Sequence, residues 1–148
     1  MTLIHSVSVR KAEEADAAVV AELLGQLGYP TAVPDALRRI RAFDRPDCAL
    51  LVGLLDGLPA GLVSVSVIPL MHRDPPVGKI TALVVDDRCR GRRVGERLVS
   101  AAIDFARGSG ASMVEVVSSN DRAGAHVFYR RQGFSVPEKT RFVIDLKA

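Results

Sequence analysis

The segment from Lys79 to Phe105 constrains this chain more than any other part of it. Ala82, Leu83, Val84 and Val85 form an uninterrupted apolar run, the pattern of a strand buried on both faces. A turn crowded with arginine follows. From Arg93 onward Val94, Leu98, Ala101, Ala102 and Phe105 lie along one face of a helix that Gly108 or Gly110 stops. A strand that runs through a short turn into an amphipathic helix requires helix packed on sheet.

The flanking segments extend that pattern. Val7 and Val9 mark a short strand, and Val20, Leu23, Leu24 and Leu27 fall at i, i+3, i+4 and i+7 of a helix over 13–27 that Gly28 and Pro30 end. Pro34 suits the first turn of a second helix running to about Phe43. Residues 49–55 and 62–68 are aliphatic and flank Asp56-Gly57-Leu58-Pro59, which predicts an antiparallel hairpin. In its second arm Val63, Val65 and Val67 alternate with Ser64, Ser66 and Ile68, a half-buried pattern. After a proline-bearing loop come the strand 79–85, the helix from Arg93, a strand 113–117, a helix 122–131 ending at Gly133, and a last strand 141–146 in which Phe142, Ile144 and Leu146 alternate. The expected order is β, α, α, β, β, β, α, β, α, β: an α/β (α+β) fold with a central mixed sheet flanked by helices. With 148 residues, 48% of them hydrophobic, such a chain can bury roughly two-thirds of its unfolded surface around one core, so a single domain over 1–148 is expected.

Several function classes are disfavoured. Cys48 and Cys89 stand far apart with no CxxC pairing, which speaks against a zinc site or a disulfide scaffold. No metal is expected, and without a leading signal segment a cytoplasmic location is. The longest near-apolar stretch, 60–70, is well short of the roughly 18–20 residues that span a bilayer. Twenty basic residues against 17 acidic ones give a net charge of only +3, too little to indicate nucleic acid. The cationic residues are concentrated instead: five arginines fall between Arg88 and Arg97.

That concentration coincides with a helix start, where unpaired N–H groups and the helix dipole favour an anion. Gly91 and Gly95 let a ligand approach the backbone, and Arg88, Arg90, Arg92 and Arg93 add charge. From spacing alone the turn reads equally as a phosphate site or as a solvated connection. Neither GxxxxGK[ST] nor GxGxxG occurs at a strand-to-helix turn, so a P-loop nucleotidase and a dinucleotide fold lack support.

Arg90-Gly91-Arg92-Arg93-Val94-Gly95 resembles the [Q/R]xxGx[G/A] signature of the GNAT acyltransferase superfamily, with Arg93 at a position that is normally glycine. A second block, from Ser118 to Phe134, is similar to the family's N…A..FY…GF region through Asn120, Ala125, Phe128, Tyr129, Gly133 and Phe134. The resemblance implies a GNAT-like fold and an acetyl-CoA-dependent N-acetyltransferase that acts by direct transfer to a primary amine of a small molecule or peptide. It implies that Arg90, Gly91, Arg92, Arg93, Val94, Gly95 and Glu96 hold the pyrophosphate, largely through backbone amides that any residue but proline supplies. Leu83, Val84 and Val85 would meet the pantetheine arm, and Asn120 would hold that arm or the acetyl end.

Tyr129 is the implied acid that protonates the departing thiolate; its other reading is a packing residue beside Phe128. His126 on the same helix reads as a packing or surface residue. Relatives often carry a glutamate where this chain has Thr81, which cannot act as a base, so amine deprotonation is left to water, to His72 or Glu115, or to an amine of low pKa. Cys89, flanked by arginines, has the setting that lowers a thiol pKa, yet direct transfer needs no acyl-enzyme. Tyr29 reads either as a wall of the acceptor pocket or as a turn residue. A non-catalytic acyl-CoA-binding module of the same fold is the alternative function. No motif names the acceptor, and homodimerisation, common among relatives, is not legible in the chain.

Overall fold

The structure, a computed structural model, describes residues 5–117, 123–137 and 139–147. Residues 1–117 form one compact unit and 118–148 a second. In the first unit β1 (Val7–Lys11) leads through a 3-10 turn (Glu14–Asp16) to α1 (Ala17–Leu27) and α2 (Val33–Ala42). Then come β2 (Cys48–Leu55), β3 (Leu58–Ile68), β4 (Val77–Val85), a 3-10 turn at Asp87–Cys89, α3 (Val94–Gly108) and β5 (Met113–Val116). The sheet order follows the chain, β1-β2-β3-β4-β5. Every pair is antiparallel except β4 with β5, which are parallel and joined by α3 as their crossover.

Local chemistry sets these elements. Gly28 closes α1 in the left-handed conformation, φ 108°, and Pro34 sits in the first turn of α2. The β2–β3 turn is tighter than the sequence pattern suggests: only Asp56 (φ 52°) and Gly57 (φ 83°) lie outside the strands, and both have the positive φ of a type I′ turn. Leu58 and Pro59 already belong to β3.

The sheet is covered on both faces. Leu50, Val52, Leu62 and Val84 pack with Val20, Ala21, Leu23, Ala36 and Ile40 of α1 and α2. On the opposite face Gly53 and Gly61 lie under Val94 and Leu98 of α3, so close that a Cβ on Gly61 would stand 2.9 Å from Leu98 Cδ1. Four α3 residues at four-residue spacing, Val94, Leu98, Ala102 and Ala106, are buried together with Val99, whereas Ala101 and Phe105 are half-buried. Because both faces are covered, β3 is not half-buried as its alternation implies: Leu62, Val63, Ser64 and Val65 are all buried. In β4 only Val84 of the four-residue apolar run is buried, and Ala82, Leu83 and Val85 are half-exposed. Among the described residues no helix is long and apolar enough to cross a membrane.

In the second unit α4 spans Ala123–Arg131. The rings of Phe128 and Phe134 meet Tyr129 edge-on, with centroids 5.4 and 5.7 Å away. Gly133, at φ 96°, ends the helical segment as its position predicts. The expected strand 141–146 is absent: residues 139–147 form no ladder, and Phe142, Ile144 and Leu146 are 81–89% exposed. Alternation makes a segment able to pair, but a strand exists only where a neighbour supplies the hydrogen bonds.

Candidate functional site

β4 outruns its parallel neighbour. Val77, Gly78, Lys79 and Ile80 pair with Met113, Val114, Glu115 and Val116, and there the β4–β5 ladder stops, while β4 continues to Val85. Along 82–85 it keeps its pairing with β3 on the other side. The β4–β5 ladder therefore ends at Ile80, and among the described residues the edge of 81–85 turned away from β3 pairs with no strand, which leaves alternate N–H and C=O groups suited to an extended ligand. Leu83, Val84 and Val85 lie on this edge.

The end of that ladder carries a β-bulge. Ser64 pairs with Ala82 and Val65 with Ile80, so Thr81 is an extra residue with no cross-strand partner. Its hydroxyl lies 2.7 Å from Ser64 Oγ. A second bulge sits opposite β2, where Ala60 is the extra residue and its carbonyl accepts the Asp86 N–H at 2.8 Å.

Beyond Val85 the chain makes a turn that is built rather than loose. The Asp86 carboxylate is buried and accepts from the Arg88 N–H at 3.0 Å and from Arg88 Nε and Nη2 at 3.1 and 2.8 Å. These bonds from the Arg88 side chain and backbone outweigh the opposing effect of burial and hold the Asp86 carboxyl at a pKa of about 2. The Asp87 N–H donates to Gln26 Oε1 at 3.0 Å, tying the turn to α1. Arg90 pairs with Asp87 at 2.8 Å, and Arg88 also approaches Glu22 at 3.7 Å. Two of the arginines expected to supply charge are thus engaged by carboxylates of the same turn. Arg92, Arg93 and Arg97 form no ion pair among the described residues.

The glycine signature position now has a physical reason. Arg93 caps α3 at φ 66°, ψ 13°, a left-handed conformation that glycine adopts freely and other residues adopt at a cost. Gly91, at φ 78°, has the same handedness and open space where a Cβ would stand. The first intrahelical bond of α3 runs from Arg97 N–H to the Arg93 carbonyl at 3.1 Å, so the N–H groups of Val94, Gly95 and Glu96 project from the helix end. Strand edge, arginine turn and helix start form one continuous strip from Thr81 to Glu96, suited to an elongated ligand with an apolar arm and an anionic end.

The other sequence-derived candidates lie on other elements or outside the described residues. Tyr129 lies on α4 in the second unit, and Asn120 lies outside the described residues. Glu115 is engaged by Lys79 at 3.1 Å, and His72 is exposed in the β3–β4 loop. Tyr29 is 64% exposed after α1, its carbonyl accepting from Thr31 Oγ1 at 2.6 Å. Asp86, Gln26 and Ser64 were not singled out by the sequence. An aspartate two residues before an arginine, at a strand end, is a usable signal for Asp86, because Asx side chains bond the backbone two residues on; Gln26 and Ser64 depend on contacts made across the fold.

Comparison with known proteins agrees with this geometry. The Acetyltransferase (GNAT) family model matches residues 18–134. Over 89 residues the chain is 32% identical to aminoalkylphosphonate N-acetyltransferase of Salmonella typhimurium, covering 60% of this chain and 58% of that protein. It is 30% identical over 95 residues to an uncharacterized N-acetyltransferase of Methanocaldococcus jannaschii, covering 64% and 42%. The chain thus spans about half the length of these curated relatives. Among solved structures, glucosamine-6-phosphate N-acetyltransferase from Arabidopsis thaliana superposes with a TM-score of 0.80 at 26% identity, covering 96% of this chain and 99% of that one. An aminoglycoside N-acetyltransferase crystallised with coenzyme A superposes at 0.85 over 99% of both chains; at 17% identity that likeness is one of fold. The family model covers well over half of the chain, and the conclusion follows: this chain belongs to the GNAT acetyltransferase family.

Proposed function

We propose that the chain is an acetyl-CoA-dependent N-acetyltransferase that transfers the acetyl group directly to a primary amine of a small molecule or peptide. The observation that carries this reading is the run of β4 beyond its last β5 partner, which leads without interruption into the arginine turn and the start of α3. In this reading Arg90, Gly91, Arg92, Arg93, Val94, Gly95 and Glu96 receive the pyrophosphate of coenzyme A. The N–H groups of 94–96 and the unengaged guanidinium groups supply the complementary charge. Leu83, Val84 and Val85 extend their backbone edge to the pantetheine arm, which binds as an added strand. Asn120 holds the arm or the acetyl end, and Tyr129 gives its phenolic proton to the departing sulfur.

Relatives named for aminoalkylphosphonate and glucosamine-6-phosphate substrates support a small amine as acceptor. The absence of a strand carboxylate at Thr81 favours a second reading, an acyl-CoA-binding module without turnover. Thiol release from acetyl-CoA in the presence of amines, polyamines, aminoglycosides, amino acids and peptides separates the two. Turnover on one class supports the enzyme, and a coenzyme A thermal shift with no thiol release on any amine supports the binding module.

A further inference from the structure

Resting on the acetyltransferase reading, we infer that Gln26 of α1 is a positioning residue for coenzyme A: its carboxamide holds the arginine turn in the shape that receives the phosphates. Burial does not hold the turn. Asp86 and Val94, 4% and 1% exposed, anchor its two ends. Between them Asp87, Arg88, Arg90, Gly91, Arg92 and Arg93 are exposed and Cys89 is half-buried. With no buried side chain in 87–93, the hydrophobic effect does not fix this stretch, and directional bonds must.

Its conformation also works against the chain's own preference. Gly91 and Arg93 both have positive φ, which glycine adopts freely and arginine does not. Inside the turn the Cys89 N–H donates to the Asp86 carbonyl at 2.8 Å. From outside it, α1 supplies the tie: the Asp87 N–H donates to Gln26 Oε1 at 3.0 Å, a bond between residues 61 apart in sequence. An amide whose oxygen accepts keeps its NH2 group to donate. The acceptor beside it is Asp86, whose carboxyl pKa is lowered first by Arg88 and further by the Gln26 side chain. Gln26 thus serves both residues at which β4 passes into the turn. Glu22, one helical turn earlier on the same side of α1, approaches Arg88 at 3.7 Å; that pair is exposed and adds little.

Backbone N–H groups receive an anion well when they are already aimed at it, because ordering a loop on binding subtracts from affinity. By fixing Asp87, the first exposed residue after buried Asp86, Gln26 sets the direction in which the chain leaves β4 for the start of α3. Its own polar atoms face the turn, so it acts through the turn and not on the phosphates. The effect is therefore confined to the phosphate end of the ligand, and the pantetheine arm on the edge of 83–85 does not feel it.

That confinement is what the test reads. Dissociation constants are measured by calorimetry for coenzyme A and, at millimolar concentration, for pantetheine, the same arm without phosphate. Gln26→Met keeps the length and the helix propensity of glutamine; Kd for coenzyme A rises about three- to tenfold, the equivalent of one neutral hydrogen bond, while Kd for pantetheine stays within about twofold of wild type. Gln26→Asn, equally neutral but a methylene shorter, shows the same selective loss because its oxygen falls short of Asp87. On an amine found to be turned over, KM for acetyl-CoA rises in both variants and kcat is unchanged. Coenzyme A binding by Gln26→Met within about twofold of wild type, or an equal loss for coenzyme A and pantetheine, would each overturn the assignment, the second by showing that α1 had merely loosened. Wild-type protein that binds coenzyme A no more tightly than pantetheine overturns the phosphate reading of the turn instead, and this inference with it.

Discussion

The close seat of α3 on the sheet makes Gly61 a position where even one added methyl group is felt. In Gly61→Ala the new Cβ meets Leu98 Cδ1 and the Val84 backbone oxygen at 2.9 Å each, and Val94 Cγ1 at 3.2 Å. Real Cβ atoms do not approach so closely. Leu98 and Val94 are 0% and 1% exposed, so neither has space to retreat, and the Val84 carbonyl belongs to a strand fixed in the ladder with β3. Overpacking of a tight core costs about 1–3 kcal/mol. The lower unfolded-state entropy of alanine returns about 0.4–1 kcal/mol, leaving a net loss of roughly 0.5–2 kcal/mol. For a chain of this size that lowers Tm by about 1–8 °C.

Gly53→Ala meets only side-chain atoms, at 3.0–3.2 Å, and should cost less. Gly25→Ala, in α1 with nothing within 4 Å, should stabilise by about 0.5–1 kcal/mol. Urea unfolding of the three variants checks the ranking. Since the displaced helix begins at the arginine turn, Gly61→Ala should also reduce the thermal shift from coenzyme A. A Gly61→Ala protein as stable as Gly25→Ala would refute the close approach of α3.

The other expectations concern the turn and the proposed acid. Arg93→Gly removes a left-handed strain of about 1–2 kcal/mol but adds unfolded-state entropy of about 0.4–1 kcal/mol, so Tm should hold or rise by a few degrees; a clear drop in a calorimetric scan would contradict the backbone account. Asp86 has a folded pKa of about 2, below its ordinary value of 3.8, so its contribution is present above pH 4 and disappears as the pH falls toward 2. Urea midpoints should therefore place Asp86→Asn below wild type at pH 6 and close to it at pH 2; an equal gap at both would show that the charge is irrelevant. Tyr129→Phe should lower kcat with little effect on the coenzyme A thermal shift, since only the leaving-group proton is lost; unchanged kcat removes Tyr129 from that role.

Local signals read from the sequence proved durable where the physics is local. The hairpin turn at Asp56-Gly57-Leu58-Pro59, the Gly28 stop and the Pro34 helix start depend on backbone preferences of a few residues; the last two stand as read, and the turn stands shortened to Asp56-Gly57. The arginine turn was legible for the same reason. Its internal wiring was not, because the pairing of Arg88 with Asp86 and of Arg90 with Asp87 depends on how the 3-10 turn folds back. Phe142, Ile144 and Leu146 show the opposite limit: their alternation is that of a strand, yet pairing is a property of two segments. Ser64 was hidden in an alternation that reads as outward-facing until α1 and α2 are known to cover that face.

The ion pairs inside the turn also set how it meets anions in general. Between Asp86 and Arg97 five arginines stand with Asp86, Asp87 and Glu96, a surplus of two positive charges. Phosphate diesters carry roughly one negative charge per phosphorus, so a pyrophosphate neutralises the turn almost completely and leaves little for a longer polyanion to seize. Salt should therefore weaken this contact only modestly, and nucleic acid should gain little beyond the first two phosphates it touches. By spending two of its arginines on its own aspartates, the turn is fixed in shape, and in the proposed acetyl-CoA reading its remaining charge matches a short, doubly charged group.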